Sequence, residues 1–189
     1  MDRRNFARRA ARRGAWTVAL AAALCAAGCA TPGRVANGDA ALPAGENSAA
    51  FLDRLSAQAD VNENDAFRGV LIVLDGQDPA GTFAERVEAL RGKGALAEDW
   101  DFDAARPITK GKLAYVLYRG CGFGGGVVLT LVGPSPRYCL REFQYNGMMS
   151  PGSALSPVTG MELVAVLSRA DVYRRTGQVP DRAGDVAGR

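Results

Sequence analysis

The sequence contains no histidine. This absence excludes catalytic sites that need a histidine base, and it excludes zinc or haem sites that need a histidine ligand. No motif for a catalytic nucleophile or for nucleotide binding occurs where the expected secondary structure would allow that function. The composition is that of a folded protein, with 48% hydrophobic and 23% charged residues in a chain of 189. The sequence therefore predicts a protein that is not an enzyme and that carries no cofactor and no metal.

The N-terminal segment lacks an apolar run long enough to cross a membrane as a helix, which requires about 20 residues. Residues 15–28 form an apolar, alanine-rich run of about 14 residues. Six arginines precede this run within residues 2–13. A basic start, a short apolar middle and small residues before a cysteine are typical of a secretion signal. We predict that residues 1–28 are a signal peptide.

The end of this segment, Ala26-Ala27-Gly28-Cys29, resembles the bacterial lipobox. The resemblance implies cleavage before Cys29 and attachment of lipid, including palmitate, to that cysteine. Several acyl chains anchor a protein stably, since each buried CH₂ contributes about 0.8 kcal/mol. The expected location is the periplasmic face of the cell envelope, with the outer membrane favoured because Ala30 is not an aspartate retention signal.

The export route has two alternatives. The run Arg3-Arg4-Asn5-Phe6 resembles the twin-arginine signal, and arginine pairs also occur in signals of the general secretory route. The net positive charge of the full chain comes from the signal, since residues 1–28 carry six arginines and one aspartate, a net charge of +5. Without residues 1–28 the chain has 17 basic and 19 acidic residues, a net charge of −2 instead of +3. No basic run remains, so we expect no nucleic-acid partner.

The remaining chain divides into three parts. Residues 29–47 start at the lipidated cysteine and form a flexible tether rich in Ala, Gly and Pro. Residues 176–189 form a polar tail that is predicted to be disordered. The folded domain is predicted for residues 48–175, with helices over 49–58, 62–75, 82–92, 109–120, 136–146 and 159–170.

Three similar segments within this domain indicate tandem helix-loop-helix units, at about 48–78, 81–122 and 136–172. Each contains a helix start with a polar N-cap, and the three caps lie 47 and 50 residues apart: Asn62, Thr109 and Thr159. Asp65 and Glu162 follow their caps by three residues, where a carboxylate can bond back to the cap amide. Residues 123–135 do not fit a unit; they suit a buried strand or a helical turn, and we treat them as an inserted linker.

The stretches 83–122 and 137–170 resemble the repeat of the S-layer homology (SLH) domain. That repeat contains a helix, a glycine, an irregular loop with an aromatic residue and a proline, and then a motif like ITRAE that opens a second helix. The resemblance implies an all-α fold in which three units pack as a pseudo-threefold bundle. It also implies a role in binding cell-wall polymers.

The chain departs from the SLH motif at its ligand-binding position. The family has an arginine directly after the threonine, whereas this chain has Glu63, Lys110 and Gly160 there. The candidate glycan site is therefore Thr109 and Lys110, where a cation stands at a helix start. Trp100 precedes them and could stack on a sugar ring; its alternative role is to close the core of the unit.

Two cysteines remain after the signal and Cys29, namely Cys121 and Cys139. They could form a disulfide in an oxidising compartment, or they could be two separate buried thiols. Taken together, these observations predict a non-catalytic, lipid-anchored protein of the cell envelope with a structural role or a role in contacting cell-wall glycan. The alternative is a periplasmic accessory subunit that binds an envelope protein.

Overall fold

The computed structural model describes residues 47–180, and this part of the chain contains seven helices and no strand. The all-α class is confirmed. The helices are α1 (Ser48–Ser56), α2 (Glu63–Asp75), α3 (Phe83–Gly92), α4 (Lys110–Gly120), α5 (Val127–Val132), α6 (Pro136–Tyr145) and α7 (Gly160–Thr176). The predicted signal peptide, Cys29, nearly all of the tether and residues 181–189 of the tail lie outside the described residues.

The helices begin where the sequence predicts them, because each of the six longer ones has a polar N-cap. The side chain of each cap accepts a hydrogen bond from the amide three residues later; the caps are Asn47, Asn62, Thr82, Thr109, Ser135 and Thr159. Thr82 and Glu85 form a capping box at the start of α3. Hydrogen bonds from the backbone N–H groups of Gly81 and Thr82 hold the pKa of the Glu85 carboxyl below its usual value.

The carboxylates of Asp65 and Glu162 do not bond back to their cap amides, contrary to the prediction. Asp65 Oδ2 accepts hydrogen bonds from Arg54 and Gln58, and Glu162 Oε1 accepts one from Lys110. These partners lie outside the helix that each carboxylate opens. The reason is that the helix starts are packed against other segments of the chain, whose donors compete with the local amide.

The core lies where α2, α4 and α7 meet the shorter helices. α4 packs on α6, α1 packs on α7, and α2 contacts α3, α4 and α7. Apolar residues of α2, α4 and α7 are buried in this core: Ala66, Phe67, Val70, Leu113, Ala114, Leu117, Leu163 and Leu167. Burying one large aliphatic or aromatic side chain contributes about 1.5–3 kcal/mol, so these residues define the bundle. On α7, Val164 is only partly buried, whereas Val166 is fully buried.

The inserted segment 123–135 contains the short helix α5, which agrees with the helical-turn alternative; Leu129 is buried, and Leu131 and Val132 are exposed. The last helix, α7, continues to Thr176 rather than stopping near residue 170. Its final turns make tertiary contacts, because the guanidinium of Arg174 donates hydrogen bonds to the carbonyls of Val73 and Leu74 at the end of α2. These contacts stabilise the turns of α7 beyond residue 170, where the sequence pattern ends the helix.

None of the helices within residues 47–180 has the length and apolar character needed to span a membrane.

Candidate functional site

Three chain segments meet just before the helix starts of α2, α4 and α7. Val61 N–H donates to the carbonyl of Val158, Val158 N–H donates to Ile108, and Ile108 N–H donates to Val61, at N···O distances of 2.9, 3.1 and 2.9 Å. The three bonds close a circle, which we call the helix-start ring. All three residues are fully buried. The ring therefore fixes the N-terminal ends of the three helices next to one another.

The first amide of each of these helices is also bonded within the protein. Glu63, Lys110 and Gly160 donate their backbone N–H groups to the carbonyls of Arg106, Ser156 and Gln58, respectively. In α4 the next amide, Gly111 N–H, donates to the Ala154 carbonyl at 3.0 Å. A free helix N-terminus attracts anions through its unbonded amides. Here those amides already have protein acceptors.

Lys110, the predicted glycan-binding cation, is 7% exposed. Its Nζ donates to Glu162 Oε1 at 2.8 Å, Ser150 Oγ at 2.8 Å and the Pro151 carbonyl at 3.3 Å. An ammonium group has three N–H donors, so all of them have acceptors in this arrangement. Glu162 also accepts a hydrogen bond from Ser150 Oγ. An anionic ligand at Lys110 must therefore compete with a carboxylate that is already in place.

In a second ion pair the charges are reversed: the residue at the helix start is the acid rather than the cation. Glu63, which is 1% exposed, accepts from Lys112 Nζ at 2.7 Å and from Asp103 N–H at 3.1 Å. In both ion pairs, the first residue of one helix pairs with the third residue of another: Glu63 of α2 with Lys112 of α4, and Lys110 of α4 with Glu162 of α7. The sequence places charges at these positions but does not show that they neutralise one another.

The equivalent position in α7 is Gly160, which has no side chain to form such a pair. Its backbone is covered by the end of α1, and a Cβ atom there would lie 2.8 Å from the carbonyl carbon of Leu55 and closer still to its oxygen. The third residue of α2, Asp65, pairs instead with Arg54 of α1 at 3.2 Å. The third helix start is therefore closed by α1.

Trp100 and Lys110 contact different partners. The Trp100 ring is partly buried against the core, with its centroid 4.8 Å from that of Tyr115 and 6.4 Å from that of Phe102. The nearest cation in its ring contacts is Lys112, whose Nζ lies 5.2 Å from the ring centroid. Trp100 thus lies beside the Glu63–Lys112 pair, while Thr109 caps α4. Whether these residues bind a glycan stays a prediction.

Cys121 and Cys139 are free thiols in the structure, with Cys139 buried and Cys121 partly buried; a disulfide between them stays a prediction. Burial raises the pKa of each thiol to about 11, so both are protonated near neutral pH and are poor nucleophiles. Their charged neighbours differ. Cys121 lies near Arg174 and Asp171 of α7, and Cys139 lies near Arg119 at the end of α4. The two side chains have different surroundings.

An open groove of about 580 Å³ lies between α6 and the loop at residues 152–155. Arg137, Arg141 and Gln144 of α6 line one side. Their spacing of four and then three residues places them on one face of a helix. Sequence analysis did not identify this groove, although that spacing within a predicted helix was an available signal.

Metal chemistry has no matching feature, since residues 47–180 contain no group of three Cys, Asp or Glu side chains that could hold an ion.

Comparisons of the chain with protein-family models, with curated proteins and with solved structures give no match.

Proposed function

We propose that the chain is a non-catalytic lipoprotein of the cell envelope whose helical domain has a structural or glycan-contact role. In this proposal the chain is exported, is cleaved before Cys29 and is held by lipid at the periplasmic face, with the outer membrane as the favoured location. The helical domain is a divergent SLH-like bundle of three units. The lipobox resemblance supports the first part, and the helix-start ring supports the second.

The ring is the observation that carries the proposal. Its members, Val61, Ile108 and Val158, each directly precede an N-cap, and they lie 47 and 50 residues apart. Each donates one hydrogen bond and accepts one from another member. Three helices of unrelated segments are not expected to form the same backbone hydrogen bond at the residue before the N-cap. The pattern is what a pseudo-threefold arrangement of similar units requires.

The glycan-contact role has one specific requirement at Lys110. Since Glu162 already holds the Lys110 ammonium, an acidic polymer that binds there must exchange places with the Glu162 carboxylate. The ion pair is mostly buried, with the two side chains 9% and 13% exposed, so solvent screens it little. Removing the negative charge of Glu162 should therefore make the site more attractive to an anion.

The first test concerns the anchor. Cys29→Ser should abolish labelling by a fatty-acid precursor and should release the protein from the membrane fraction, since the lipid is its proposed anchor. Labelling of expressed protein followed by fractionation measures both effects. Cys25→Ser, which changes a cysteine within the predicted signal, is the matched control and should keep the label. A mature protein with an N-terminus other than Cys29 would contradict the proposal.

The second test concerns the glycan role and uses co-sedimentation of the full chain with purified cell-wall polymer in detergent. At low salt we expect Lys110→Ala to weaken binding several-fold and Glu162→Gln to strengthen it, with both effects shrinking as salt rises. Lys93→Ala is the control, since it also removes one ion-paired lysine but lies far more exposed at the surface. Equal binding by the wild type and both test variants would contradict a contact at Lys110.

The alternative function is protein interaction, and one observation favours it. Leu131 and Val132 are neighbours in α5 and are 79% and 65% exposed. Adjacent exposed apolar side chains of this kind mark contact surfaces in many proteins. A pull-down that recovers a defined envelope protein, and that fails with Leu131→Ser/Val132→Ser, would favour the accessory-subunit role over the glycan role.

A further inference from the structure

The groove between α6 and the loop at 152–155 contains two cations that have no partner among residues 47–180. Arg137 and Arg141 are exposed, line the groove, and make no hydrogen bond or ion pair with the described residues. Every other lysine and arginine within residues 47–180 has at least one such interaction. The other cations of the described segment are thus engaged within the protein, whereas Arg137 and Arg141 are available to a ligand.

Arg137 does not stabilise α6, the helix in which it lies. It is the second residue of α6, where the helix dipole disfavours a cation by a few tenths of a kcal/mol. No acidic residue occupies that first turn to compensate. Arg141 lies one turn further along the same face, about 6 Å away along the helix axis. The pair therefore presents two guanidinium groups to the groove, and no acidic side chain within residues 47–180 forms an ion pair with them.

The opposite wall of the groove is held in place by hydrogen bonds. Gln144 Nε2 of α6 donates to the carbonyls of Ser150 and Gly152, at 3.2 and 3.0 Å. Further along the loop, the Ala154 carbonyl accepts from Gly111 N–H of α4. A wall that is fixed at both ends needs little ordering when a ligand binds, which favours affinity.

We propose that this groove binds an acidic saccharide through Arg137 and Arg141. A guanidinium group binds a carboxylate or a phosphate with two parallel hydrogen bonds, so two arginines one turn apart can hold two anionic groups of one chain. Tyr145 lies one turn beyond Arg141 on α6 and is 86% exposed, which leaves its ring free to stack on a sugar. The inference rests on the glycan-contact role proposed above and names a site for it outside the helix-start ring.

A peptide is the less suitable occupant. Residues 47–180 contain no strand whose open edge could pair with an extended peptide. A helical peptide requires a mainly apolar groove, whereas in this one Leu140, Ala154 and Leu155 alternate with polar and charged lining residues such as Arg137, Arg141 and Gln144. An acidic peptide therefore serves as the competing ligand in the test.

The test titrates the full chain, purified in detergent, with three probes at low ionic strength. The probes are an oligomer of galacturonic acid, a glycerol-phosphate teichoic acid and a poly-glutamate peptide of similar charge. Arg137→Gln/Arg141→Gln should weaken binding of at least one saccharide probe by about tenfold or more, because two charged hydrogen-bonding groups are lost. The two saccharides show whether carboxylate or phosphate is the preferred anion.

The matched control is Arg91→Gln/Arg175→Gln, which removes the same net charge from exposed pairs elsewhere. It should change affinity by less than about twofold, and circular dichroism should show unchanged helix content for both double variants. Equal weakening by the control, unaltered binding by Arg137→Gln/Arg141→Gln, or tighter binding of poly-glutamate would overturn the inference. If the wild type binds wall polymer but the groove variant binds it equally well, the inference fails alone. If the wild type binds no saccharide, the glycan role fails with it.

Discussion

Gly160→Ala is expected to destabilise the protein by about 3 kcal/mol or more. The added Cβ would overlap the carbonyl group of Leu55, and it would also lie 3.1 Å from the Gln58 carbonyl oxygen. Both neighbours are backbone atoms, so no side chain can rotate away. Relief requires α1 to separate from α7, which breaks the contacts that close the third helix start. Urea unfolding followed by circular dichroism measures the loss.

Gly92→Ala is the matched control for this substitution. It also changes a helical glycine, but an added Cβ there meets nothing within 4 Å. Since alanine favours helix over glycine by up to about 1 kcal/mol, this variant should be neutral or slightly more stable than the wild type. An unfolding midpoint for Gly160→Ala equal to that of the wild type would show that α1 does not cover Gly160.

Arg86→Met is expected to cost about 3–5 kcal/mol of stability. Arg86 is 2% exposed and donates to Asp78 Oδ2 at 2.7 Å, Asn64 Oδ1 at 2.8 Å and the Ala80 carbonyl at 2.9 Å. Methionine retains much of the apolar stem but none of the three donors. The Asp78 side chain, which is 4% exposed, would keep only the longer 3.9 Å contact with Arg68 as its ion pair.

The control lies on the same helix. Arg91 of α3 pairs with Glu88 at 2.7 Å, but the two side chains are 42% and 69% exposed. Exposed helical ion pairs of this kind contribute about 0.2–0.5 kcal/mol. The Arg91 guanidinium also lies 5.5 Å from the centroid of the Phe102 ring, and such an exposed contact contributes about 0.5–1 kcal/mol. Arg91→Met should therefore lower the free energy of unfolding by no more than about 1.5 kcal/mol. Thermal and urea unfolding of both variants give the comparison. Equal effects for Arg86→Met and Arg91→Met would mean that the Arg86 cluster is solvated rather than buried.

The helix starts could be predicted from sequence because capping is a local interaction. Asn62, Thr109 and Thr159 each bond an amide three residues away, and no distant part of the chain is needed to recognise them. The glycines that follow two helix ends can be recognised locally in the same way. Gly94 and Gly147 both adopt the positive φ that is common just after a helix end, at 64° and 72°.

The partners of the charged side chains could not be predicted, because they depend on how separate helices pack. The pairing of Lys110 with Glu162 joins residues 52 positions apart, and that of Lys112 with Glu63 joins residues 49 apart. Arg86 lies in a helix whose other charges are exposed, so nothing local distinguishes it as buried. The arginine groove likewise exists only because the 152–155 loop folds against α6.

The sequence also did not indicate that position 160 requires a glycine. By its predicted resemblance to the SLH repeat, Gly160 occupies the position at which that repeat has its ligand-binding arginine. In the structure it is a position where α1 occupies the space that a side chain would need. The two interpretations differ in consequence, because the first makes an alanine substitution harmless and the second makes it disruptive.

The central claim is that the helix-start ring joins the three units, and hydrogen exchange of its amides tests it most directly. Val61, Ile108 and Val158 precede their helices, where amides normally exchange quickly. If the ring holds, their N–H groups should exchange within about tenfold of the rate of Leu117 in the core of α4, since all must wait for the same cooperative opening. Exchange as fast as that of the exposed loop residue Gln77 would contradict the ring and, with it, the proposed pseudo-threefold bundle.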